Sequence, residues 1–309
     1  MLRFGTDGVR GVALTELTTD YVQALGIAAA RVLDGETWLI GRDTRESGEA
    51  FESALTEGLH SQAQTVQSCG VLPTPALAFL SASRGMPAAM ITASHNPYSD
   101  NGVKIFAAGG LKLTDDVEAS IEASLEAVFA GGPRASSFNE TADVVVDAVT
   151  EYVEHVVSLF PADCLAGVRV VLDCANGAMS VAGPAAVAAL GAEVIVMHAT
   201  PNGTNINAEC GATHPDSLVG AVLEHGAAAG LAFDGDGDRV IAVDNEGHIV
   251  DGDRLIALAA LQLQAEGRLS GNAVVVTVMS NLGFHRAMQA AGITAVSYTH
   301  LTLPTTERV

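Results

Sequence analysis

One strand–helix–strand unit recurs three times along the chain, and it restricts the possible fold more than any other feature. The first copy reads "TWLIGRDTR", "SGEAFESALTEGLHSQ" and "AQTVQSCGVLPTP"; the second reads "VRVVLDCANG", "SVAGPAAVAALG" and "AEVIVMHATPNG"; the third reads "NAVVVTVMS", "NLGFHRAMQAAG" and "ITAV". In each copy an apolar strand ends at a polar or glycine-containing loop, a helix follows, and a strand returns. This order predicts serial α/β domains with mixed, mostly parallel sheets covered by helices.

Polar segments rich in glycine indicate where these domains join. The first is 129–143, which leads into a stretch that we interpret as a strand or linker entering a helix, and the second is 244–253. The predicted domains are 1–145, 146–248 and 249–309. Before the first repeat, "TTDYVQALGIAAARVL" has helical spacing, with Thr19 as the predicted N-cap.

The charge of the chain restricts its partners. The net charge is −21 and the sequence pI is about 4.6, so the surface repels nucleic acid and anionic membranes, and we expect neither as a partner. No apolar run reaches membrane-spanning length, and the first residues lack the apolar core of a signal peptide. A phosphorylated substrate would also be repelled, so a phosphate site should gather arginines locally.

The cysteines indicate a reducing compartment. The chain has 4 cysteines and no CxxC pair, a pattern that disfavours a disulfide scaffold or a zinc site. We expect free thiols in the core of a cytoplasmic protein.

The stretch "AFDGDGDRV" is the first candidate site. Asp234, Asp236 and Asp238 alternate with glycine directly after the predicted strand "GLAF", where α/β proteins place their chemistry. An ordinary Asp–Gly turn is the alternative. A calcium EF-hand loop is excluded because Arg239 and Asn245 occupy positions that need Gly and Glu. The glycines would let the chain curl so that the three carboxylates meet on a hard divalent cation such as Mg²⁺.

The stretch "PAAMITASHNPYSDNGVKIF" is the second candidate site. It begins as a strand and breaks near Ser94, and Pro97 stops the strand. We expect Ser94 at the tip of a rigid turn, although Ser and Asn could simply make turn hydrogen bonds there. No G-x-S-x-G elbow surrounds Ser94, which disfavours an α/β-hydrolase.

Several separate motifs resemble those of one enzyme superfamily. "TASHNP", "DGDGDR" and "RFGTDGVRG" resemble the α-D-phosphohexomutases, and "FGTDGVRG" together with "NGTNINAECGATHPDSL" is similar to the phosphoglucosamine mutase branch. The resemblance runs in the expected order from residue 2 to about residue 296.

The resemblance implies an isomerase that interconverts glucosamine 6-phosphate and glucosamine 1-phosphate for amino-sugar nucleotide and cell-wall precursor synthesis. Ser94 matches the serine that carries a phosphoryl group, passes it to one sugar oxygen, and recovers another from the bisphosphate intermediate. Asp234, Asp236 and Asp238 match Mg²⁺ ligands, with the phosphoserine oxygen as a further ligand. A phosphoserine adds roughly −1.5 to −2 charge, so beside three carboxylates it would require such a cation.

The same resemblance implies roles for four basic side chains. Lys104 matches a lysine that handles protons or stabilises charge, and Arg10 matches a catalytic arginine near the reacting phosphate. Arg239 is expected to bind substrate, and His95 to orient the hydroxyl. Each has an ordinary alternative: a lysine is usually a solvated surface charge, and Arg239 could pair with a neighbouring aspartate.

The end of the chain departs from the resemblance. After "AAGITAV" the superfamily continues with a Gly-Asp-x-Tyr stretch and a fourth domain, whereas this chain reads "SYTHLTLPTTERV". We expect a third domain that is incomplete, a fourth that is absent, and residues 297–309 without a fixed place in the fold. Two alternatives stay open: a phosphoglucomutase or phosphomannomutase, or an inactive metal- and phosphosugar-binding fragment.

Overall fold

The computed structural model describes residues 2–5, 8–132 and 141–298. Its strands are, in chain order, β1 (Val9–Val12), β2 (Thr37–Arg42), β3 (Thr65–Val71), β4 (Ala88–Ile91), β5 (Asp100–Ala107), β6 (Leu111–Lys112), β7 (Asp143–Val144), β8 (Arg169–Asp173), β9 (Glu193–Met197), β10 (Ala229–Phe233), β11 (Val240–Asp244), β12 (Ile249–Val250), β13 (Ala273–Thr277) and β14 (Thr294–Tyr298). Its α-helices are α1 (Thr19–Val32), α2 (Gly48–His60), α3 (Thr74–Arg84), α4 (Asp115–Ala130), α5 (Ala148–Ser158), α6 (Met179–Ala189), α7 (Asp216–His225), α8 (Gly252–Ala265) and α9 (Leu282–Ala290).

The first sheet has the order β1-β5-β4-β2-β3-β7, with β6 on β5. Its centre is parallel, since β2 pairs with β3 and with β4, whereas β5 pairs antiparallel with β4 and β1. Helices α1, α2 and α4 cover one face through a core that includes Leu25, Trp38 and Phe51. Helices α3 and α5 cover the other face around Leu77 and Leu80. The carboxyl ends of β2 and β4 therefore lie side by side, and the loops that follow them meet.

The second and third sheets repeat this plan. In the second, β8 pairs parallel with β9 and β10, and β11 and β12 continue antiparallel from β10. In the third, β13 and β14 pair parallel beneath α8 and α9, with Phe284 and Met288 in the core. Mixed sheets covered by helices confirm the predicted fold class.

Three local predictions are wrong. Helix α1 is capped by Thr18, one residue before the predicted cap, because the Thr18 Oγ1 accepts the Tyr21 N–H at 3.1 Å. Cys164 is exposed, whereas the other cysteines are buried as expected. The last strand reaches Tyr298, pairing Ser297 with Val276, so the first two residues of the predicted loose tail are part of β14. Residues 299–309 lie outside the described residues.

The predicted first joint, 129–143, is only partly described, since 133–140 lie outside the described residues. After it, β7 pairs with β3 of the first sheet, and α5 packs on α3 through Phe79 and Tyr152. The domain bounds 1–145, 146–248 and 249–309 stay predictions. Among the helices of the described residues, none is long and apolar enough to cross a bilayer.

Candidate active site

Two loops from different sheets meet at the candidate site. Ser94 follows β4, and its Oγ donates a hydrogen bond to the Asp234 Oδ2, in the loop after β10, at 2.6 Å. The Ser94 side chain is fully buried, and its backbone is in the left-handed region with φ of 54°. Ser94 therefore occupies the predicted turn but is covered rather than displayed, because the aspartate loop packs on it.

The three aspartates converge as their spacing predicts. One carboxylate oxygen from each lies within 4.8 Å of the others; Asp234 and Asp236 are buried, and Asp238 is exposed. The intervening glycines are required by close packing. A Cβ at Gly235 would lie 2.6 Å from the Ser94 carbonyl oxygen, and one at Gly237, where φ is 71°, would lie 2.5 Å from Met179.

Two side chains of the first sheet's region hold the aspartate loop. The Lys104 Nζ, on β5, donates to the Asp236 Oδ2 at 2.8 Å and to the Asp238 Oδ2 at 2.9 Å. The Thr74 Oγ1, at the start of α3, donates to the Asp236 Oδ2 at 2.6 Å. Since Lys104 and Asp236 are both buried, this ion pair is shielded from water and joins the two sheets.

The pKa values in the cluster diverge. Burial raises the pKa of Asp234 to about 7, and the neighbouring Asp236 carboxylate adds to the increase. Burial also acts to raise the pKa of Asp236, but the Lys104 ammonium outweighs it and the pKa is lowered. For Lys104 burial acts to lower the pKa, yet Asp236 and Asp238 outweigh it and the pKa is raised. The raised pKa of Lys104 favours its charged form, and that of Asp234 favours the protonated carboxyl more than usual.

The cluster fits a hard divalent cation. The Asp236 Oδ1 is buried and lacks a hydrogen-bond partner, which is costly for a carboxylate oxygen unless a cation binds it. The Asp236 carboxylate belongs to the group of three that converge, and carboxylate oxygens are the ligands that Mg²⁺ prefers.

Basic side chains lie beside the serine and aspartate loops. The Arg239 Nη1 is 3.1 Å from the His95 Nδ1, and its Nε is 3.8 Å from the Asp238 Oδ1. Burial lowers the pKa of His95, and the Arg239 and Arg10 charges lower it further. Arg10 lies on β1, opposite Gly102 of β5. The structure thus brings all eight predicted site residues to one place.

The sequence reasoning missed two residues that hold the serine loop. Arg45, in the polar run after β2, is buried and ion-paired with buried Asp43, with its Nε 2.9 Å from the Asp43 Oδ2. Its Nη2 donates to the carbonyl oxygens of Ser94 and Asn96, each at 2.9 Å. The Asn207 Nδ2 donates to the same two oxygens at 2.9 and 3.1 Å. Arg45 could have been suspected from the sequence, because it lies in a polar run at the carboxyl end of a predicted parallel strand, where functional residues gather.

The chain is similar to known proteins. The family model described as phosphoglucomutase/phosphomannomutase, alpha/beta/alpha domain I matches residues 1–130; the domain II model matches 150–247, and the domain III model matches 251–299. A phosphoglucosamine mutase of Corynebacterium jeikeium is 48% identical over 301 residues, which cover 94% of this chain and 67% of that protein. One from Rhodococcus jostii is 48% identical over 301 residues, with 95% and 67% covered.

A solved structure has the same fold. A phosphoglucomutase/phosphomannomutase family protein of Burkholderia thailandensis superposes with a TM-score of 0.80 at 25% identity, covering 96% of this chain and 65% of that one. The chain therefore spans about two thirds of the length of the relatives that it matches.

Proposed function

The chain belongs to the phosphoglucomutase/phosphomannomutase family, and on that premise we propose that it interconverts glucosamine 6-phosphate and glucosamine 1-phosphate through a phosphorylated Ser94. The choice of sugar rests on the two mutases that are 48% identical to this chain. The family's other substrates are less favoured, since the structure with the broader family name is 25% identical.

One observation carries the proposal: a buried serine hydroxyl lies 2.6 Å from a carboxylate that belongs to a converging group of three. Such a group repels an anionic phosphoryl group unless a cation binds it. We propose that Asp234, Asp236, Asp238 and the phosphorylated Ser94 hold Mg²⁺ there. When bound, the ion would neutralise the negative charge that develops as the phosphoryl group moves.

The residues of the chain then position the transfer. The bond between the Ser94 Oγ and phosphorus breaks as phosphorus bonds to a sugar oxygen, and overall the proton of the sugar hydroxyl moves to the Ser94 Oγ. His95 is suited to orient that hydroxyl, because its lowered pKa keeps the ring neutral. Lys104, with its raised pKa, is suited to stabilise charge.

The arginines bind the substrate's anionic groups in this scheme. Burial lowers the pKa of His95 and the Arg239 and Arg10 charges lower it further, so both charges act beside Ser94. Arginine donates in a fork that suits phosphate oxygens. The expectation that a phosphate site in so acidic a protein gathers arginines thus becomes part of the proposal. The free cysteines are typical of a cytoplasmic setting, where we place the reaction.

Transfer of a labelled phosphoryl group tests the proposal. The 309-residue chain, incubated with Mg²⁺ and labelled glucosamine 1,6-bisphosphate, should take up acid-stable label at Ser94, and more slowly from glucose 1,6-bisphosphate. Ser94→Ala should take up none and keep the parent fold, since it removes one hydroxyl and its hydrogen bond to Asp234 but no apolar core contact. Equal labelling of Ser94→Ala would contradict the serine assignment, and equal rates with both sugars would contradict the choice of substrate.

A further inference from the structure

We infer that Arg45 and Asn207 are positioning residues that hold Ser94 in its left-handed conformation and thereby direct its Oγ at Asp234. The inference rests on the proposed function, because it assigns these residues to the same phosphoryl transfer. Both side chains donate to the backbone carbonyl oxygen of the serine and act through it.

Ser94 needs such support. A φ of 54° is unfavourable for a residue with a Cβ. Ser and Asn at the end of a strand would otherwise relax toward ordinary turn conformations. If Ser94 rotated out of the left-handed region, its Cβ and Oγ would turn away from Asp234, so the hydrogen bond of 2.6 Å depends on the backbone.

Arg45 and Asn207 hydrogen-bond the same two carbonyl oxygens of the serine turn. The carbonyl oxygens of Ser94 and Asn96 each accept from the Arg45 Nη2 and from the Asn207 Nδ2, at distances of 2.9 to 3.1 Å. Four hydrogen bonds therefore fix the peptide planes that follow Ser94. On the amide side, the Ser94 N–H donates to the Thr92 Oγ1 at 2.8 Å, so both flanking peptide units are held.

Arg45 is the anchor within the first sheet. Its Nε pairs with Asp43, and its Nη1 donates to the carbonyl oxygens of Pro97 and, at 2.8 Å, Asp100. Together with the two hydrogen bonds from Nη2, the guanidinium therefore bonds one carboxylate and four backbone carbonyl oxygens of the turn. Since Arg45 is buried, it holds the turn from the protein interior and is not available to substrate.

Asn207 approaches from the second sheet's side. Its N–H donates to the Ala175 carbonyl oxygen at 2.9 Å, which fixes it to the loop after β8. Its Nδ2 would be 2.7 Å from a Cβ at Gly235, whose Cβ would also meet the Ser94 carbonyl oxygen. The amide therefore lies where the serine turn and the aspartate loop touch. The segment that resembles the glucosamine branch thus contacts the backbone of the nucleophile.

Variants of Asn207 test the inference, because Arg45 variants would leave Asp43 buried without its partner. Asn207 itself has φ of 57°. Asn207→Gly keeps that conformation without strain and removes only the amide. Asn207→Asp keeps the shape but replaces the donor by an acceptor facing two carbonyls. Glu209→Gly is the matched control: Glu209 is exposed, lies in the same loop and has φ of 53°.

The measurement is single-turnover labelling of Ser94 from saturating labelled glucosamine 1,6-bisphosphate with Mg²⁺. We expect the rate to fall about 100-fold in Asn207→Asp and by a smaller factor in Asn207→Gly, because a misaligned nucleophile loses near-attack geometry. The half-saturating bisphosphate concentration should stay unchanged, and Glu209→Gly should label like the parent. A lowered melting temperature with parental rates at saturation would show a merely structural role and overturn the inference.

A crystal structure of Asn207→Asp separates this inference from the proposed function. We expect Ser94 to leave the left-handed region and its Oγ to lose the Asp234 carboxylate. If the parent takes up no label, the proposed function fails. The crystal structure would still decide whether Asn207 holds Ser94 in its left-handed conformation. If Ser94 keeps its φ and its bond to Asp234 without the Asn207 amide, the inference is wrong whatever the labelling shows.

Discussion

Replacing Lys104 by methionine should remove the positive charge that β5 brings to the aspartate cluster. Methionine keeps the aliphatic body and deletes the ammonium, which bonds Asp236 and Asp238 at 2.8 and 2.9 Å. The side chain of Asp236 is 0% exposed and that of Asp238 is 31% exposed. Nearly all of the loss therefore arises at Asp236, since a partly exposed pair contributes at most about 1 kcal/mol.

The expected loss in the free energy of unfolding is about 3–5 kcal/mol at pH 7.5 without metal, the cost of leaving a buried carboxylate unpaired. Pairing lowers the folded-state pKa of Asp236, so this stabilisation exists above the pKa of the unfolded chain and is lost as pH falls. Protonation also relieves the unpaired charge in the variant. One pH unit corresponds to about 1.4 kcal/mol for a group that titrates in the variant alone. Over the two units from pH 7.5 to pH 5.5, the difference in unfolding free energy between the parent and Lys104→Met should therefore narrow by about 2–3 kcal/mol.

Chemical unfolding followed by tryptophan fluorescence measures this gap. The chain has 1 tryptophan, and Trp38 is 1% exposed in the core of the first sheet that carries Lys104. Lys112→Met is the matched control, since Lys112 is an exposed lysine on β6. Saturating Mg²⁺ should stabilise the Lys104→Met chain more than the parent, because a bound divalent ion compensates the same carboxylates. The reasoning would be refuted if Lys104→Met and Lys112→Met had equal denaturation midpoints at pH 7.5. It would also be refuted if Mg²⁺ left the difference in unfolding free energy between the parent and Lys104→Met unchanged.

Two further predictions concern protons. Mg²⁺ binding should strengthen about 10-fold from pH 6 to pH 8, because Asp234, whose pKa is raised to about 7, must lose its proton to bind metal; calorimetry showing a flat dependence would contradict this. A thiol reagent at pH 8 should modify Cys164 quickly and the other thiols slowly, because burial raises the pKa of Cys69, Cys174 and Cys210 to about 12. Peptide mass spectrometry decides, and rapid modification of Cys210 would show that its loop opens.

The sheets could be predicted from the sequence because each strand–helix–strand copy is a local pattern. The alternation of apolar strands with helices places parallel strands at the centre of a sheet whatever the rest of the chain does. The antiparallel pairing of β5 with β4 and β1 was not predictable, because it depends on where a long turn returns the chain. Thr18 replaced Thr19 as the cap because both hydroxyls suit that position and only the backbone decides.

The candidate site was predictable to the extent that its residues lie in dense local motifs. The alternate spacing of Asp234, Asp236 and Asp238 identifies them in the sequence. Only the structure explains the glycine between the first two, because the Ser94 carbonyl oxygen occupies the space that a Cβ at Gly235 would need. Asn207 could not be found this way. It is 113 residues from Ser94 along the chain, and an asparagine in a loop is most often a turn residue. Its contact exists only once two sheets have packed together.

The local charges around Ser94 explain how an acidic chain can handle an anionic group. The Ser94 hydroxyl bonds one of three carboxylates that take a metal ion in the proposed function. Next to it, burial lowers the pKa of His95, and the Arg239 and Arg10 charges lower it further although two aspartates oppose them. A phosphoryl group on Ser94 would be compensated both by a bound cation and by these arginines. The net charge of −21 therefore does not set the field at the site, because charges within a few ångströms in a buried setting outweigh a distant, solvent-screened surface.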